Sequence, residues 1–193
     1  MKLGKLLRRY RWSILILAIA GVAWWLAFEY LVEFRPPDVP YVDTPQDIVD
    51  AMLDLAKVEA GDTVYDLGSG DGRIVIAAGR RRAKSVGLEI DPTLADQSRE
   101  RVRLEGLADR VTIRRGDMFK QDLTPATVVT MYLKPHVNVQ LRPQLDRLRP
   151  GTRIVSHLFS MPGATPTKKI AVKSGEDGLS HDLYLWVTPL EWK

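Results

Sequence analysis

The 193-residue chain contains no cysteine, which excludes disulfides and thiolate metal sites. Histidine is scarce. His136, His157 and His181 stand far apart in the sequence and lack metal-ligand spacing, so no zinc or other metal is expected. No Gly-x-x-x-x-Gly-Lys-Ser/Thr loop occurs, which argues against phosphoryl transfer. An excess of positive charge is also missing from most of the chain, although the net charge is +4. Lys2, Lys5, Arg8, Arg9 and Arg11 supply five positive charges, leaving 23 Lys and Arg against 24 Asp and Glu, a balance of −1. The basic character belongs to the amino-terminal tail, and a nucleic-acid partner loses its best bulk argument.

One stretch lacks charge altogether: Trp12 to Phe28. Extended to Val32 it admits only Glu29 and spans 21 residues, about 30 Å as a helix, which matches the hydrocarbon core of a bilayer. Tyr10 and Trp12 lie at one end and Trp24, Trp25 and Tyr30 toward the other, as interfacial aromatics do. A cleaved signal peptide is the rival reading, since Ala18-Ile19-Ala20 resembles a cleavage site. Cleavage there leaves Trp24-Trp25-Leu26 on the mature protein, which favours a retained single-pass anchor and a membrane localisation. The basic tail places the amino terminus in the cytoplasm and the rest of the chain across the membrane. The ligand inferred below is made in the cytoplasm, so the catalytic domain is expected there, against that rule. The chain thus divides into a basic tail (1–11), an anchor (12–32), a proline-stiffened linker (33–43) and an α/β domain (44–193).

Thr44 suits an N-cap, Pro45 a first helical position and Asp47 a reciprocal capping acid. Ile48, Met52, Leu55 and Ala56 then recur at helical spacing. Beyond them strand and helix alternate. Strands are expected at Thr63–Leu67, Ser85–Ile90, Val111–Arg114, Ala126–Leu133 and Arg153–His157, with helices between them. Pro143 must kink the segment from His136 to Arg149 or start a new helix. Lys169–Lys173 and Asp182–Thr188 flank the turn Gly175-Glu176-Asp177-Gly178 and read as an antiparallel hairpin. The fold class is α/β, a Rossmann-like doubly wound and mostly parallel sheet closed by that hairpin.

The organising stretch is Asp66-Leu67-Gly68-Ser69-Gly70-Asp71-Gly72-Arg73, a strand running into a glycine turn and a helix. Such a turn holds a nucleotide at the carboxyl end of a parallel sheet. Its spacing departs from the dinucleotide pattern Gly-x-Gly-x-x-Gly, and Asp71 within it is unfavourable beside a pyrophosphate. Asp66 can receive a ligand cation. Glu89, 21 residues after Gly68, ends the second strand where a carboxylate accepts both ribose hydroxyls. Asp117, followed by Met118, ends the third strand, where an acid accepts from an adenine amino group. A cationic adenosine is implied, and S-adenosylmethionine fits. The segment after the fourth strand, Met131 to His136, holds the catalytic candidates: Tyr132 for an acceptor channel and His136 for proton loss. Each has a plainer reading as a packing or loop residue. Likewise Thr44 and Asp117 can be no more than caps, Asp66 a brace for the turn, and Ser69 a small residue that fits.

Asp66-Leu67-Gly68-Ser69-Gly70-Asp71-Gly72, then Gly87-Leu88-Glu89-Ile90-Asp91, then Gly116-Asp117 resemble the three cofactor motifs of class I S-adenosylmethionine-dependent methyltransferases. With the apolar span and Tyr41-Val42-Asp43-Thr44-Pro45, the chain is similar to the membrane-anchored protein-lysine methyltransferases of the ATP synthase c subunit and the adenine nucleotide carrier. The resemblance implies N-methylation of a lysine in or near a membrane, with Tyr41 and Thr44 helping to enclose the cofactor. Methylation of a small or lipid-like acceptor, or cofactor binding without catalysis, remain the alternatives. Met131 to His136 departs from the Asn/Asp-Pro-Pro-aromatic motif of enzymes that methylate nucleobase amines.

Overall fold

The computed structural model describes residues 12, 13, 15–25 and 41–192. The chain divides into two units, Met1–Asp38 and Val39–Lys193. In the first, residues 12–13 and 15–25 are helical, and Trp12, Leu17, Trp24 and Trp25 are exposed. Among the described residues no helix is long and apolar enough to cross a membrane. This overturns the single-pass anchor expected over 12–32 and the membrane localisation built on it. The expected side of the membrane falls with the anchor. Residues 26–32 of that span, the basic tail and linker residues 33–40 lie outside the described residues.

The second unit alternates strand and helix. Its elements are α1 (Gln46–Leu55), β1 (Thr63–Leu67), α2 (Arg73–Arg80), β2 (Lys84–Glu89), α3 (Pro92–Leu104) and β3 (Val111–Arg115). A 3-10 turn (Met118–Lys120) follows, then β4 (Val128–Met131), α4 (Pro135–Gln140), α5 (Arg142–Leu145), β5 (Arg153–His157), β6 (Lys168–Lys173) and β7 (Ser180–Val187). One seven-stranded sheet runs in the order β3-β2-β1-β4-β5-β7-β6. Strands β1 to β5 are parallel, and β7 joins antiparallel to β5 and β6. The order reverses between β1 and β4, which opens a crevice at the carboxyl ends of the strands. Leu67, Glu89, Arg115, Met131 and His157 all end strands on that edge.

Side chains alternate across the sheet as a two-residue period requires. Val64, Val128 and Val155 pack with Ile48, Met52, Leu53 and Ala77 on one face. Their neighbours Tyr65, Val129 and Ile154 pack with Leu141, Leu145 and Trp186 on the other. Trp186 is 1% exposed and donates from Nε1 to the Ala164 carbonyl at 3.3 Å. Trp186→Ala is expected to cost about 4 kcal/mol through the cavity it leaves. A urea titration checks this; a midpoint within error of the parent would contradict the core assignment.

Two local expectations change. The helix beginning at Gln46 takes Pro45 as its N-cap with no side-chain cap bond, so Thr44 does not cap it. Asp47 is no reciprocal cap either, because its carboxylate accepts from Ser174 Oγ at 2.9 Å and Gly175 N–H at 2.7 Å. Pro143 divides the expected helix into α4 and α5, since its ring can enter only the first turn of a new helix.

Candidate active site

The glycine turn follows directly from β1. Gly68 and Ser69 both donate to the Leu88 carbonyl at 2.9 Å, which bends the chain out of the sheet toward β2. Gly68, Gly70 and Gly72 have φ of 75°, 53° and 81°, the left-handed region that side chains resist. A Cβ on Gly70 would collide with the ring of Tyr41, and one on Gly68 would touch Leu133. Tyr41 therefore lies against the turn. Ser69 faces inward: a Cβ on Gly87 would stand 2.6 Å from Ser69 Oγ, a buried atom without a hydrogen-bond partner among the described residues. Ser69 thus occupies the position of the small residue that fits.

Glu89 is buried at the end of β2. Its Oε2 accepts from Gly70 N–H at 2.7 Å and its Oε1 from Asp91 N–H at 2.8 Å. One carboxylate therefore joins the second motif to the glycine turn. Asp66 is 2% exposed and accepts from the Thr130 hydroxyl at 2.7 Å. Burial, with the charges of Glu89 and Asp71, outweighs that bond and pushes its pKa up to about 7. Asp117 caps the 3-10 turn, accepting from Phe119 N–H at 2.9 Å. The half-buried Met118 next to it packs on the core beside β4.

Asp71 does not act as a bare charge in the turn. Its carboxylate pairs with Arg73, at 3.0 Å from Nε and 2.9 Å from Nη2, and with Arg101. Burial opposes its ionisation, but the hydrogen bond and charge of Arg73 and the charge of Arg101 hold its carboxyl below the usual range. It braces the turn, and its charge, shared with two guanidinium groups, weighs less against a phosphate than its sequence position suggests. Arg73 also reaches the segment before α1. It donates to the Thr44 carbonyl at 2.6 Å, pairs with Asp43 at 3.2 Å and approaches the Tyr41 hydroxyl at 3.4 Å. Residues 41–44 thereby form a strap fastened to the glycine turn.

At the other end of the crevice, Tyr132 follows β4, half-buried, with its ring 4.1 Å from that of His157 and 6.0 Å from that of Phe159. Burial raises the Tyr132 pKa. Burial first, then neighbouring His181, lowers that of His157 to about 4, against a smaller opposing effect of Asp177, so His157 is neutral at pH 7. Its Nδ1 lies 3.2 Å from Thr44 Oγ1. His136 lies apart from this group, exposed on α4. Sequence reasoning passed over His157 because it sought metal spacing among histidines. The signal lay in its place at the end of a parallel strand.

The cradle of left-handed glycines, buried Asp66 and the strand-end acids Glu89 and Asp117 fit a cationic adenosine such as S-adenosylmethionine. Comparison with known proteins agrees. The model of the ANTKMT methyltransferase domain matches residues 66–168. A protein-lysine N-methyltransferase of Saccharolobus islandicus is 44% identical over 78% of this chain and 94% of that protein. The human lysine N-methyltransferase of the ATP synthase c subunit is 28% identical over 83% of this chain and 71% of that protein. A crystal structure of an RNA methyltransferase from Salinibacter ruber in complex with S-adenosyl-L-homocysteine superposes with a TM-score of 0.72 at 46% identity, covering 77% of this chain and 94% of that one. The chain belongs to the ANTKMT methyltransferase domain family and is an S-adenosylmethionine-dependent methyltransferase.

Proposed function

We propose that the acceptor is the side-chain amine of a lysine in a protein substrate. The observation that carries this reading is the aromatic group at the acceptor end, Tyr132 with His157 and Phe159. Aromatic faces favour an alkyl chain ending in a cationic or amine nitrogen. The names of the Saccharolobus and human relatives support it. The Salinibacter protein is named for RNA instead, but the chain beyond residue 11 carries a balance of −1, which suits a polyanion poorly.

S-adenosylmethionine supplies a methyl group already activated by its sulfonium. The residues then have three tasks. Glu89 accepts from the ribose hydroxyls, Asp117 and Met118 receive the adenine, and Gly68, Ser69, Gly70, Asp71 and Gly72 shape the turn against which the ligand lies. Asp66 stands beside the cationic end, and Tyr41 and Thr44 on the strap enclose it. Tyr132 lines the acceptor channel and orients the amine while excluding water. His136 lies at the rim of that segment, where an exposed imidazole can take up a proton released to solvent.

To test the acceptor class, the purified protein is incubated with methyl-tritiated S-adenosylmethionine and a cell extract. Protease is expected to solubilise the incorporated label and ribonuclease to leave it in place. The opposite pattern would transfer the reading to RNA, and label extracted with lipid would transfer it to a lipid acceptor.

Asp66 gives a pH dependence with a definite sign. A carboxyl with its pKa near 7 is largely protonated at pH 6, and a cation placed beside it favours the charged form. Binding therefore releases a proton below about pH 7, and affinity rises with pH up to that value, then levels off. Calorimetry at about pH 6 in two buffers of different ionisation heat measures the release. No proton exchange there would separate Asp66 from the cation.

A further inference from the structure

Three described residues other than glycine have a positive φ: Lys57, Arg82 and Leu158, at 52°, 68° and 64°. Lys57 and Arg82 follow the ends of α1 and α2, where a left-handed residue commonly closes a helix. Leu158 follows strand β5 instead. It is the middle residue of a three-residue turn, closed by the Phe159 N–H donating to the His157 carbonyl at 2.7 Å. A positive φ at its centre makes this the rare and strained form of that turn.

Neighbouring elements hold the strain in place. The Leu158 N–H donates to the Asp182 carbonyl of β7 at 2.7 Å, and the Ser156 hydroxyl to the Phe159 carbonyl at 2.6 Å. Asn138 of α4 donates from Nδ2 to the Ser160 carbonyl at 3.3 Å. Ser156 and Asn138 are fully buried, and strain of this kind persists where the surrounding structure over-determines it. The turn carries Phe159 to the end of β4, where its ring lies 6.0 Å from that of Tyr132 at 23°. Both residues are partly exposed. Leu158 itself is 38% exposed and belongs to none of the buried clusters of the core.

For the fold alone, a leucine is poorly chosen here. Glycine takes the same φ without strain and asparagine tolerates it, and either leaves less apolar surface in water. The side chain strains the free protein and adds little to its core, so the contact it serves is with another molecule. Its place in the chain indicates which one, because Leu158 joins His157 to Phe159, two of the three rings at the acceptor end. We infer that Leu158 is a specificity-determining residue that receives an apolar side chain adjacent to the acceptor lysine in the substrate protein. The rings of Tyr132 and Phe159 beside it take the alkyl chain of that lysine. This role rests on the lysine reading above and adds to it what the substrate must carry next to its amine.

Two variants of the full chain test this. Leu158→Asn suits the positive φ and removes the apolar surface, whereas Leu158→Met keeps that surface. Parent and variants are incubated with methyl-deuterated S-adenosylmethionine and a cell extract, and the labelled lysines are located by mass spectrometry. Leu158→Asn is expected to label lysines adjacent to Leu, Ile, Val, Met or Phe about 10-fold more slowly, through loss of one apolar side-chain contact. Lysines between polar neighbours should keep rates within about 2-fold of the parent's, as for an ordinary surface substitution. Leu158→Met is expected to match the parent on both classes. Calorimetric affinity for S-adenosylmethionine should be unchanged in both variants, and the unfolding midpoint of Leu158→Asn no lower than the parent's. Equal losses on both classes of lysine, a weakened cofactor affinity or a lowered midpoint would show that Leu158 serves the turn alone, and would overturn the inference. So would parental rates on apolar-flanked lysines in Leu158→Asn, or a parent that labels no such lysines. If the parent left all protein unlabelled, the lysine reading itself would fall and this role with it, so the two failures are distinct.

Discussion

Glu89→Ala is expected to weaken S-adenosylmethionine binding by at least ~100-fold, the two charge-assisted hydrogen bonds being worth roughly 1.5 kcal/mol each. The size follows from what the carboxylate already does in the protein. It is 6% exposed and ties the Gly70 amide to the Asp91 amide, at 2.7 and 2.8 Å. Removing it leaves two buried donors unpaired and frees the glycine turn from β2, in addition to removing the acceptor for the ribose hydroxyls. Glu89→Gln keeps one acceptor oxygen, and a loss of about 10-fold is expected. Titration calorimetry on the free protein reads both. An unchanged affinity in Glu89→Ala would exclude Glu89 from the site.

Arg73→Ala carries the second large effect, about 50-fold in the same affinity. The guanidinium joins the strap to the turn through the Thr44 carbonyl, Asp43 and Asp71. These contacts are charge-assisted, and two of the groups are substantially buried, so about 2.3 kcal/mol is a reasonable total. Without Arg73 the strap must be ordered anew each time ligand binds. Asp71 keeps Arg101 as a partner, so the turn itself should hold. The expected signature is faster cofactor dissociation in stopped flow with an unfolding midpoint close to that of the parent. Equal dissociation rates would show that the strap is not fastened through Arg73.

The succession of strands and helices and the mostly parallel sheet could be read from the sequence for a physical reason. Glycine spacing, strand-end acids and two-residue alternation are local signals, and Glu89 had to end β2 wherever β2 packed. The roles of Thr44 and Asp47 could not be read locally. Both sit in a good capping sequence, yet long-range partners, His157 for one and Ser174 with Gly175 for the other, outcompete the helix end. His157 and His181 lie 24 positions apart in the chain, and only the antiparallel register of β7 brings them together. The apolar run at the amino terminus shows the opposite error. Composition over 12–32 matches a bilayer in length, but among the described residues no helix is long and apolar enough to cross one.

Amino-acid and nucleoside analysis of the tritiated product tests the central claim most directly. The purified protein, with S-adenosylmethionine and extract, is expected to place its label in methylated lysine after acid hydrolysis, and Glu89→Ala at limiting cofactor to abolish that incorporation. Label recovered in a methylated nucleoside, or incorporation that survives Glu89→Ala undiminished, would contradict a lysine methyltransferase built on this site.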